Sequence, residues 1–295
     1  MIRQLKALPK SKQKGLELLR ENLRSFQKVC VAYSGGVDSS LVAAIAHEQL
    51  RPKAIAITGV SSSLSSHLLH EARQQAQWIG IHHQECMTNE LEDPSYNKNP
   101  KDRCFACKRE LHFQLKEIAQ AAHGYQVVDG VNKDDLSDYR PGIKAAHQAG
   151  VRSPLAELGI SKADVRQISE ALGFPWWNKP AQPCLASRFP YGETINSQRL
   201  KQVERAEDWL RSNGFDEIRV RSQNLAARIE LPANQIEEFI TDIGRQNIVN
   251  YFLSIGFNSV SIDLEGLVSG KLNRKEEEEK EEENIASLLP ISYLK

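Results

Sequence analysis

Residues 28–50 read KVCVAYSGGVDSSLVAAIAHEQL, and this stretch decides how the rest of the chain is interpreted. The apolar run at 28–34 predicts a buried strand, and residues 39–50 have the periodicity of a helix. Gly35 and Gly36 lie between them, so the backbone can turn tightly and come close to an anion. N–H groups of the first helical turn would point into this loop, as they do in phosphate-binding sites. The order strand, glycine loop, helix therefore predicts a phosphate site.

The polar residues of this loop are the first candidate ligands. Ser34, Ser39 and Ser40 offer hydroxyl and N–H groups to a phosphate. Asp38 is an acid inside an anion site, which makes chemical sense if Mg²⁺ bridges it to the phosphate. The alternative is a plain Gly-Gly turn with a Ser or Asp cap, and the strand–loop–helix context argues against it. The loop is not a Walker A loop, because no GxxxxGK[ST] sequence is present.

The pattern around this stretch predicts an α/β fold. Further short strands are expected at 53–60, 82–87 and 125–131, with helices at 65–80 and 102–124, the latter mostly from about Cys107. Strands separated by helices of this length indicate a parallel sheet with flanking helices.

The C-terminal part of the chain has a different order. A helix is expected at 161–173, and from about residue 194 the order is helix, strand, strand, helix, strand. This order predicts a small α+β domain after the sheet domain. The expected divisions are residues 1–180, 181–270 and an acidic tail, 271–295.

Composition limits the function classes. The chain has 295 residues, of which 40% are hydrophobic and 26% charged, as in soluble globular proteins. Lys plus Arg and Asp plus Glu each number 38, so net charge favours neither a nucleic acid nor a membrane as partner. No apolar run approaches the roughly 20 residues that span a bilayer. The N-terminal residues lack the apolar core of a signal peptide. We therefore expect a cytoplasmic protein.

A second polar loop, DGVNKDDLSDYRPG (129–142), follows the fourth predicted strand. The carboxyl end of a parallel sheet is where ligands bind in such folds. Loops rich in Asp and Gly often have no such role, so the alternative here is a plain connection. The candidate contacts are Asp129, Gly130 and Asp134, with Asp135, Asp138 and Arg140 nearby.

Three of the five cysteines lie in polar segments. Cys104 and Cys107 form a CxxC pair, and Cys184 lies in KPAQPCLASRFPYG (179–192). A CxxC pair can hold a metal, act as a redox disulfide or form half of a zinc site, in which His112 or His67 could be the fourth ligand. Cys30 and Cys86 lie in strand patterns and are expected to be structural.

The loop SGGVDSS resembles the PP-loop of ATP pyrophosphatases, which implies attack on the α-phosphate of ATP with release of pyrophosphate. Together with DGVNKDDLSDYRPG and CLASRFPYG, it identifies the chain as a member of the LarE family of ATP-dependent sulfur transferases over roughly residues 15–270. The resemblance implies that a carboxylate of pyridinium-3,5-biscarboxylic acid mononucleotide is adenylated and converted to a thiocarboxylate. This reaction serves biosynthesis of the nickel-pincer nucleotide cofactor.

The resemblance also bears on the cysteines. Some LarE-like proteins donate the sulfur of the cysteine in CLASR, here Cys184, and are consumed. Others have three cysteines that carry a [4Fe-4S] cluster, and Cys104, Cys107 and Cys184 match that type. We therefore expect ATP, Mg²⁺ and a [4Fe-4S] cluster as cofactors, with sacrificial donation from Cys184, zinc binding and a redox CxxC as alternatives.

Arginines supply the expected phosphate contacts. Arg219 and Arg221 alternate along a predicted strand and so share a face, and the resemblance matches them to a phosphate-binding pair of the family. Arg188 lies four residues after Cys184. Arg228 lies on the adjacent predicted strand, and the alternative for these arginines is a solvated strand with ion pairs. Glu207 and Glu230 are weaker candidates for metal or ribose contacts. Lys108 and Arg109 could help to neutralise a cluster or pyrophosphate, although helix-surface residues of this kind are more often only solvated. Trp176 and Trp177 are expected to pack between domains.

Two other functions remain open from the sequence. PP-loop enzymes also thiolate tRNA, which would need a basic surface that a neutral chain does not indicate. The other is a metal- or nucleotide-binding chaperone without catalysis, which would form no AMP or pyrophosphate. The resemblance implies a homo-oligomer, with a hexamer as one expected form, and leaves the sulfide donor open.

Overall fold

The computed structural model describes residues 4–121, 124–137, 141–268 and 271. These residues form two compact units. Unit 1 comprises the described residues up to Ser187 together with Tyr191–Lys201, and unit 2 comprises Arg188–Pro190 and the described residues from Gln202 onward.

Unit 1 contains a four-stranded parallel sheet. Its strands are β1 (Val29–Ala32), β2 (Ala54–Val60), β3 (His82–Met87) and β4 (Gln126–Val128). The order across the sheet is β3-β2-β1-β4, and every neighbouring pair is parallel. The predicted parallel α/β fold is confirmed. The chain order reverses between β1 and β4, and loops that follow strands at such a reversal form the ligand crevice of open α/β sheets.

Helices cover both faces of this sheet. They are α1 (Lys10–Ser25), α2 (Val37–Leu50), α3 (Ser66–Ile79), α4 (Pro94–Asn97), α5 (Arg103–Ala121), α6 (Pro141–Gln148), α7 (Pro154–Glu157) and α8 (Lys162–Ala171). One core joins α1, α2 and α8 to one face, and a second core joins α5 and α6 to the other. Cys30 and Cys86 belong to the second core, which confirms that they are buried structural residues.

Helix α5 begins one turn earlier than its predicted start near Cys107. The N–H of Arg103 donates to the carbonyl of Pro100 (3.1 Å), and the N–H of Phe105 donates to that of Asp102 (2.7 Å). A turn that begins at Pro100 therefore leads into the helix. As a result, Cys104 and Cys107 both lie in its first turns, and not in an irregular loop.

Helix α9 (Ser197–Ser212) begins in unit 1 and ends in unit 2. The rest of unit 2 comprises β5 (Arg219–Gln223), β6 (Ala226–Glu230), α10 (Ile236–Ile243), α11 (Arg245–Ser254) and β7 (Ser259–Ile262). Its sheet has the order β5-β6-β7, with β5 antiparallel and β7 parallel to β6. The helix predicted at this place is interrupted, because Gly244 has φ 81° and ψ 130°, which ends α10.

Residues 181–187 and 191–201 lie in unit 1, although the sequence placed them after the boundary at 180/181. Backbone hydrogen bonds hold them there: Leu185 donates to Ser63 (2.9 Å), Gly192 to Asn99 (2.9 Å) and Ile195 to Asn97 (2.7 Å). Trp176 also packs within unit 1, against the rings of Trp78 and Phe174. The predicted tail falls outside the described residues, except for Lys271.

Candidate active site

A cavity of about 700 Å³ lies where the four strands of unit 1 end. Residues that follow each of β1, β2, β3 and β4 contribute to its wall, together with α5, the start of α8 and residues 179–184. Of the predicted site residues, this wall includes Ser34, Gly36, Asp38, Asp134, Cys104, Cys107 and Cys184. The structure thus brings the predicted phosphate loop and the three polar cysteines to one cavity.

The phosphate loop has the geometry that its glycines predict. Gly35 has φ 69°, and a Cβ there would lie 3.0 Å from Cα and Cβ of Ala72, so a larger residue would be both strained and crowded. Gly36 is the N-cap of α2, whose first N–H groups carry no side-chain cap. These N–H groups and the helix dipole favour an anion in front of the helix.

The serines of the loop have different roles. The hydroxyl of Ser39 donates to the carbonyl of Gly36 (3.1 Å) and lies 3.2 Å from that of Ser34, which holds the loop closed. The hydroxyl of Ser40 donates to Gln75 Oε1 (3.2 Å) and is fully buried. Ser34 therefore lines the cavity, whereas Ser40 fixes α2 to α3 from inside the unit.

Asp38 is held by residues from two other segments. Its Oδ2 accepts a short hydrogen bond from Lys162 Nζ, and its Oδ1 accepts one from Asn132 Nδ2 (3.2 Å). The N–H of Lys162 in turn donates to Asp134 Oδ2 (2.8 Å). A carboxylate oriented in this way at a phosphate loop can ligate Mg²⁺ once a ligand brings the ion, and Lys162 is then a second cation for the phosphates.

The loop after β4 is packed directly against the phosphate loop. A Cβ on Gly130 would lie 2.6 Å from the backbone nitrogen of Ser39. Asp129 closes its own turn by accepting from the N–H of Val131 (3.1 Å), and burial raises the pKa of its carboxyl. Asp129 and Gly130 do not contribute to the cavity wall. Asp138 and Arg140 lie outside the described residues.

The cysteines reach the cavity from two segments. Cys104 and Cys107 are three residues apart on α5, so they lie on neighbouring positions of one helix surface. Cys184 lies in a turn, and its backbone carbonyl accepts a hydrogen bond from the hydroxyl of Ser187 (2.8 Å). The adjacent Leu185 is tied to Ser63, as described above. Backbone contacts therefore fix the position of the Cys184 turn within unit 1.

Cys107 is in an environment that disfavours its thiolate. Burial, then the charge of Glu90 and the smaller effects of Cys184 and Cys104, raise the pKa of the Cys107 thiol to about 12 against the opposing effect of Lys108. Glu90 is itself buried, and its Oε1 accepts from the hydroxyls of Ser61 (2.5 Å) and Ser63 (2.7 Å). A ligand that binds the Cys107 sulfur must therefore displace a proton.

Within the described ranges, no three His, Cys, Asp or Glu side chains lie close enough together to hold a metal ion. The three thiols share a cavity but do not converge on one point. His112 is buried on α5, where burial and then Lys108 lower its pKa to about 3, and it does not line the cavity. His67 lies 3.7 Å from Glu71 and does not line it either. Neither histidine is placed as a fourth zinc ligand.

The predicted arginines lie in unit 2 among buried acids. Arg188 makes a two-pronged contact with Glu207 (2.8 and 3.1 Å), and Arg221 Nε donates to Glu230 (3.1 Å). Burial, then Arg188 and Arg221, lower the pKa of Arg219. Arg219 makes no ion pair within the described part of the chain, so its guanidinium can receive an external anion.

Several cavity residues were not singled out in the sequence. Asn132, Lys162, Glu90 and Arg103 all line the wall. Asn132 lies in the polar loop of residues 129–142, which was predicted to be near a ligand. Lys162 directly follows Ser161, the N-cap of a predicted helix, so the sequence marked both positions. For Glu90 and Arg103 the signal is burial, which the sequence pattern around them does not show.

Comparison with known proteins finds likeness over the phosphate loop and over most of the chain. Residues 17–96, which include the phosphate loop, match the asparagine synthase family. The chain is 55% identical over 263 residues to an uncharacterised protein of Synechocystis sp., covering 88% of this chain and 98% of that protein. It is 38% identical over 252 residues to the pyridinium-3,5-bisthiocarboxylic acid mononucleotide synthase of Lactiplantibacillus plantarum, covering 85% and 91%.

A less similar relative matches over a comparable share of the chain. An uncharacterised protein of Methanocaldococcus jannaschii is 30% identical over 248 residues, which cover 84% of this chain and 93% of that protein. Each of the three matches takes in most of both chains, so the likeness is not confined to the phosphate loop. Among the described helices, none has both the length and the apolar character needed to cross a membrane.

Proposed function

This chain belongs to the LarE family of ATP-utilising PP-loop proteins, and we propose that it makes a thiocarboxylate from a carboxylate of pyridinium-3,5-biscarboxylic acid mononucleotide. The proposal is supported above all by one cavity of unit 1, whose wall includes both the phosphate loop and Cys104, Cys107 and Cys184. Activation by ATP and transfer of sulfur need these two chemistries side by side.

The first step is adenylation. The phosphates of ATP lie at the N-terminus of α2, where Gly35 and Gly36 admit them, with Mg²⁺ at Asp38. A carboxylate oxygen of the substrate attacks the α-phosphorus, and the bond to the β-phosphate oxygen breaks with its electron pair leaving on pyrophosphate. No proton is needed, so the residues act by positioning and charge neutralisation. When ATP binds, Lys162 leaves its ion pair with Asp38 and binds a phosphate oxygen instead.

In the second step a sulfide-level sulfur attacks the carboxyl carbon of the adenylate, and the bond from this carbon to the AMP oxygen breaks with its electron pair leaving on AMP. Three thiols in one cavity wall are chemically suitable donors for a cluster, although within the described residues they do not converge on one point. When bound, a [4Fe-4S] cluster with three protein thiolates would supply sulfide for this step. The residues that would hold it are Cys104, Cys107 and Cys184. Sacrificial donation from Cys184 is the alternative.

The adenylation step is tested by product analysis. Purified protein with ATP, Mg²⁺ and pyridinium-3,5-biscarboxylic acid mononucleotide should form AMP and pyrophosphate in a substrate-dependent way. Asp38→Asn should reduce this rate by at least about a hundredfold, as expected for loss of an electrostatic group of the transition state. If no AMP forms with this substrate but forms with tRNA, the chain is a tRNA-modifying enzyme.

The sulfur carrier is tested by anaerobic reconstitution, with iron and sulfide analysis. A cluster predicts about four irons per chain. Cys107→Ala should lose them, whereas Cys86→Ala, which alters a buried strand cysteine, should keep them. Zinc alone, or a mass decrease equal to H₂S at Cys184 after turnover, would instead exclude the cluster as the sulfur carrier.

A further inference from the structure

Arg103 is a buried cation in the wall of the cavity. It is the first residue of α5, its side chain is 5% exposed in the folded unit, and it lines the cavity beside Cys104 and Cys107. Because Arg103 and Cys107 are four residues apart on the helix, their side chains are neighbours on one helix surface. An anion bound by Arg103 would therefore lie next to the sulfur of Cys107.

The guanidinium of Arg103 lacks an acidic partner among the residues that the structure describes. Its Cζ lies 5.3 Å from the centre of the Tyr191 ring, and its Nε is buried without a hydrogen bond. Glu90, an acid of the same cavity wall, accepts instead from Ser61 and Ser63. Of the three lysines of the wall, Lys162 is neutralised by Asp38 and Lys179 by Glu71 (2.7 Å), whereas Lys108 makes no ion pair among the described residues.

A buried charge without a counter-ion is strongly unfavourable for the folded protein. Ring contacts compensate only a small part of that cost. A positive group kept in a cavity wall under these conditions is suited to a negatively charged ligand, which supplies the missing counter-ion when it binds.

The planar fork of an arginine matches the two oxygens of a carboxylate or phosphate. The phosphates of ATP have their own place at the N-terminus of α2, and Arg219 and Arg221 are the expected contacts of the substrate phosphate, so a carboxylate is the remaining anion of the proposed reaction. We propose that Arg103 forms a carboxylate subsite, which binds a carboxylate of the substrate next to the cysteines. This inference rests on the proposed function and adds the residue that recognises the acid group.

The test separates the carboxylate from the rest of the substrate. Binding is measured by equilibrium dialysis for nicotinic acid mononucleotide, which has one ring carboxylate, and for nicotinamide mononucleotide, which has an amide in its place. The wild type should prefer the acid. Arg103→Met should weaken binding of the acid about 10- to 100-fold, the range for a hydrogen bond to a charged group, and leave the amide unchanged. Arg103→Lys should recover part of the preference.

Controls distinguish recognition from folding. Arg109→Met changes an exposed arginine of the same helix, paired with Asp93 (2.5 Å), and should keep the preference for the acid. Arg103→Met should unfold at the same temperature as the wild type or higher, because an unpaired buried charge is removed.

The outcomes for the two proposals differ. If the wild type forms AMP with the biscarboxylate while Arg103→Met keeps the preference for the acid, the carboxylate subsite is wrong and the enzyme activity stands. If the wild type binds neither nucleotide and forms no AMP with the biscarboxylate, both proposals fail.

Discussion

Two glycines determine how closely the loops of the cavity approach one another. Gly35 allows the left-handed turn of the phosphate loop, and Gly130 allows the loop after β4 to contact the backbone of Ser39. At both positions the neighbouring atoms belong largely to the backbone, which cannot move aside as a flexible side chain can. The position of the phosphate loop therefore depends on the absence of two side chains.

Gly130→Ala should displace the start of α2 and impair use of ATP. Its Cβ would lie 2.6 Å from the nitrogen of Ser39 and 3.0 Å from the carbonyl carbon of Asp38. We expect a loss of about 1–3 kcal/mol in the free energy of unfolding, as for other overpacked sites, and a large decrease in ATP affinity. Denaturant titration and ATP binding measure the two effects.

Gly15→Ala is the matched control for this change. Gly15 lies inside α1, and a Cβ there would meet nothing within 4 Å. Alanine should stabilise the helix by about 0.5–1 kcal/mol and leave ATP affinity as it is. Equal ATP affinities of Gly130→Ala and the wild type would contradict the predicted contact with the phosphate loop.

His112 should make the protein sensitive to mild acid. Burial, and then Lys108, lower the pKa of its ring from 6.5 to about 3, so the unfolded chain takes up a proton that the folded chain excludes. Its contribution to stability is complete above about pH 6.5 and is lost progressively as the pH falls toward 3. The slope attributable to this group is at most about 1.4 kcal/mol per pH unit.

The measurement is the free energy of unfolding of the wild type and His112→Gln between pH 7 and pH 4. The variant should lose less stability on acidification than the wild type does. His70→Gln, at an exposed position of α3, should follow the wild-type curve. Parallel curves for the wild type and His112→Gln would show that the ring is not kept neutral by its surroundings.

At the scale of elements, the periodic signals were sufficient for the strands of unit 1 and for most helices. The strand predicted at residues 53–60, for example, occurs as β2 (Ala54–Val60), because a short apolar run of this length is typical of a buried strand. The two helix boundaries that were not predicted depend on the backbone conformation at single residues. Gly244 interrupts an otherwise continuous helical pattern, and the turn at Pro100 starts α5 at Arg103.

The contact between α9 and the sheet of unit 2 depends on Glu207. Its carboxylate accepts from Arg188, from the partly buried Arg211 (3.1 Å) and from the N–H of Val220 (3.0 Å). Burial would raise the pKa of Glu207, but Arg188 and these hydrogen bonds lower it, so the carboxylate stays charged.

Glu207→Gln should lower the free energy of unfolding of unit 2 by about 3 kcal/mol, because it leaves the buried Arg188 without this carboxylate. Glu217→Gln, at an exposed position before β5, should change it by less than about 0.5 kcal/mol. Thermal or denaturant unfolding of both variants gives the comparison. Similar stability of Glu207→Gln and the wild type would mean that the pair contributes little beyond its own desolvation.

For the whole molecule, strand order explains why so much of the site could be predicted. Loops that follow β1 and β4 meet because these strands are neighbours on either side of the reversal in strand order, so two polar loops far apart in sequence could be placed together. The role of Arg103 could not be predicted, since it depends on which acids surround a buried guanidinium. The homo-oligomer and the cytoplasmic location remain predictions.

The balanced charge predicts a property of the molecule in solution. With no formal net charge at pH 7 and a calculated isoelectric point near 7.1, the molecules repel one another least at neutral pH. Solubility in polyethylene glycol should be lowest near pH 7 and higher at pH 8.5. A solubility that does not vary over this range would contradict the prediction.

The position of β4 has a consequence for synthesis on the ribosome. β1 pairs with β2 on one side and with β4 on the other, yet residues 33–125 must be translated before β4 exists. At about 5–20 residues per second, one side of β1 stays without its partner strand for roughly 5–20 seconds. During that interval the nascent chain presents an apolar strand edge, VCVA, which can pair with other chains. Chaperone binding to the nascent chain should accordingly be strongest before residue 128 leaves the exit tunnel.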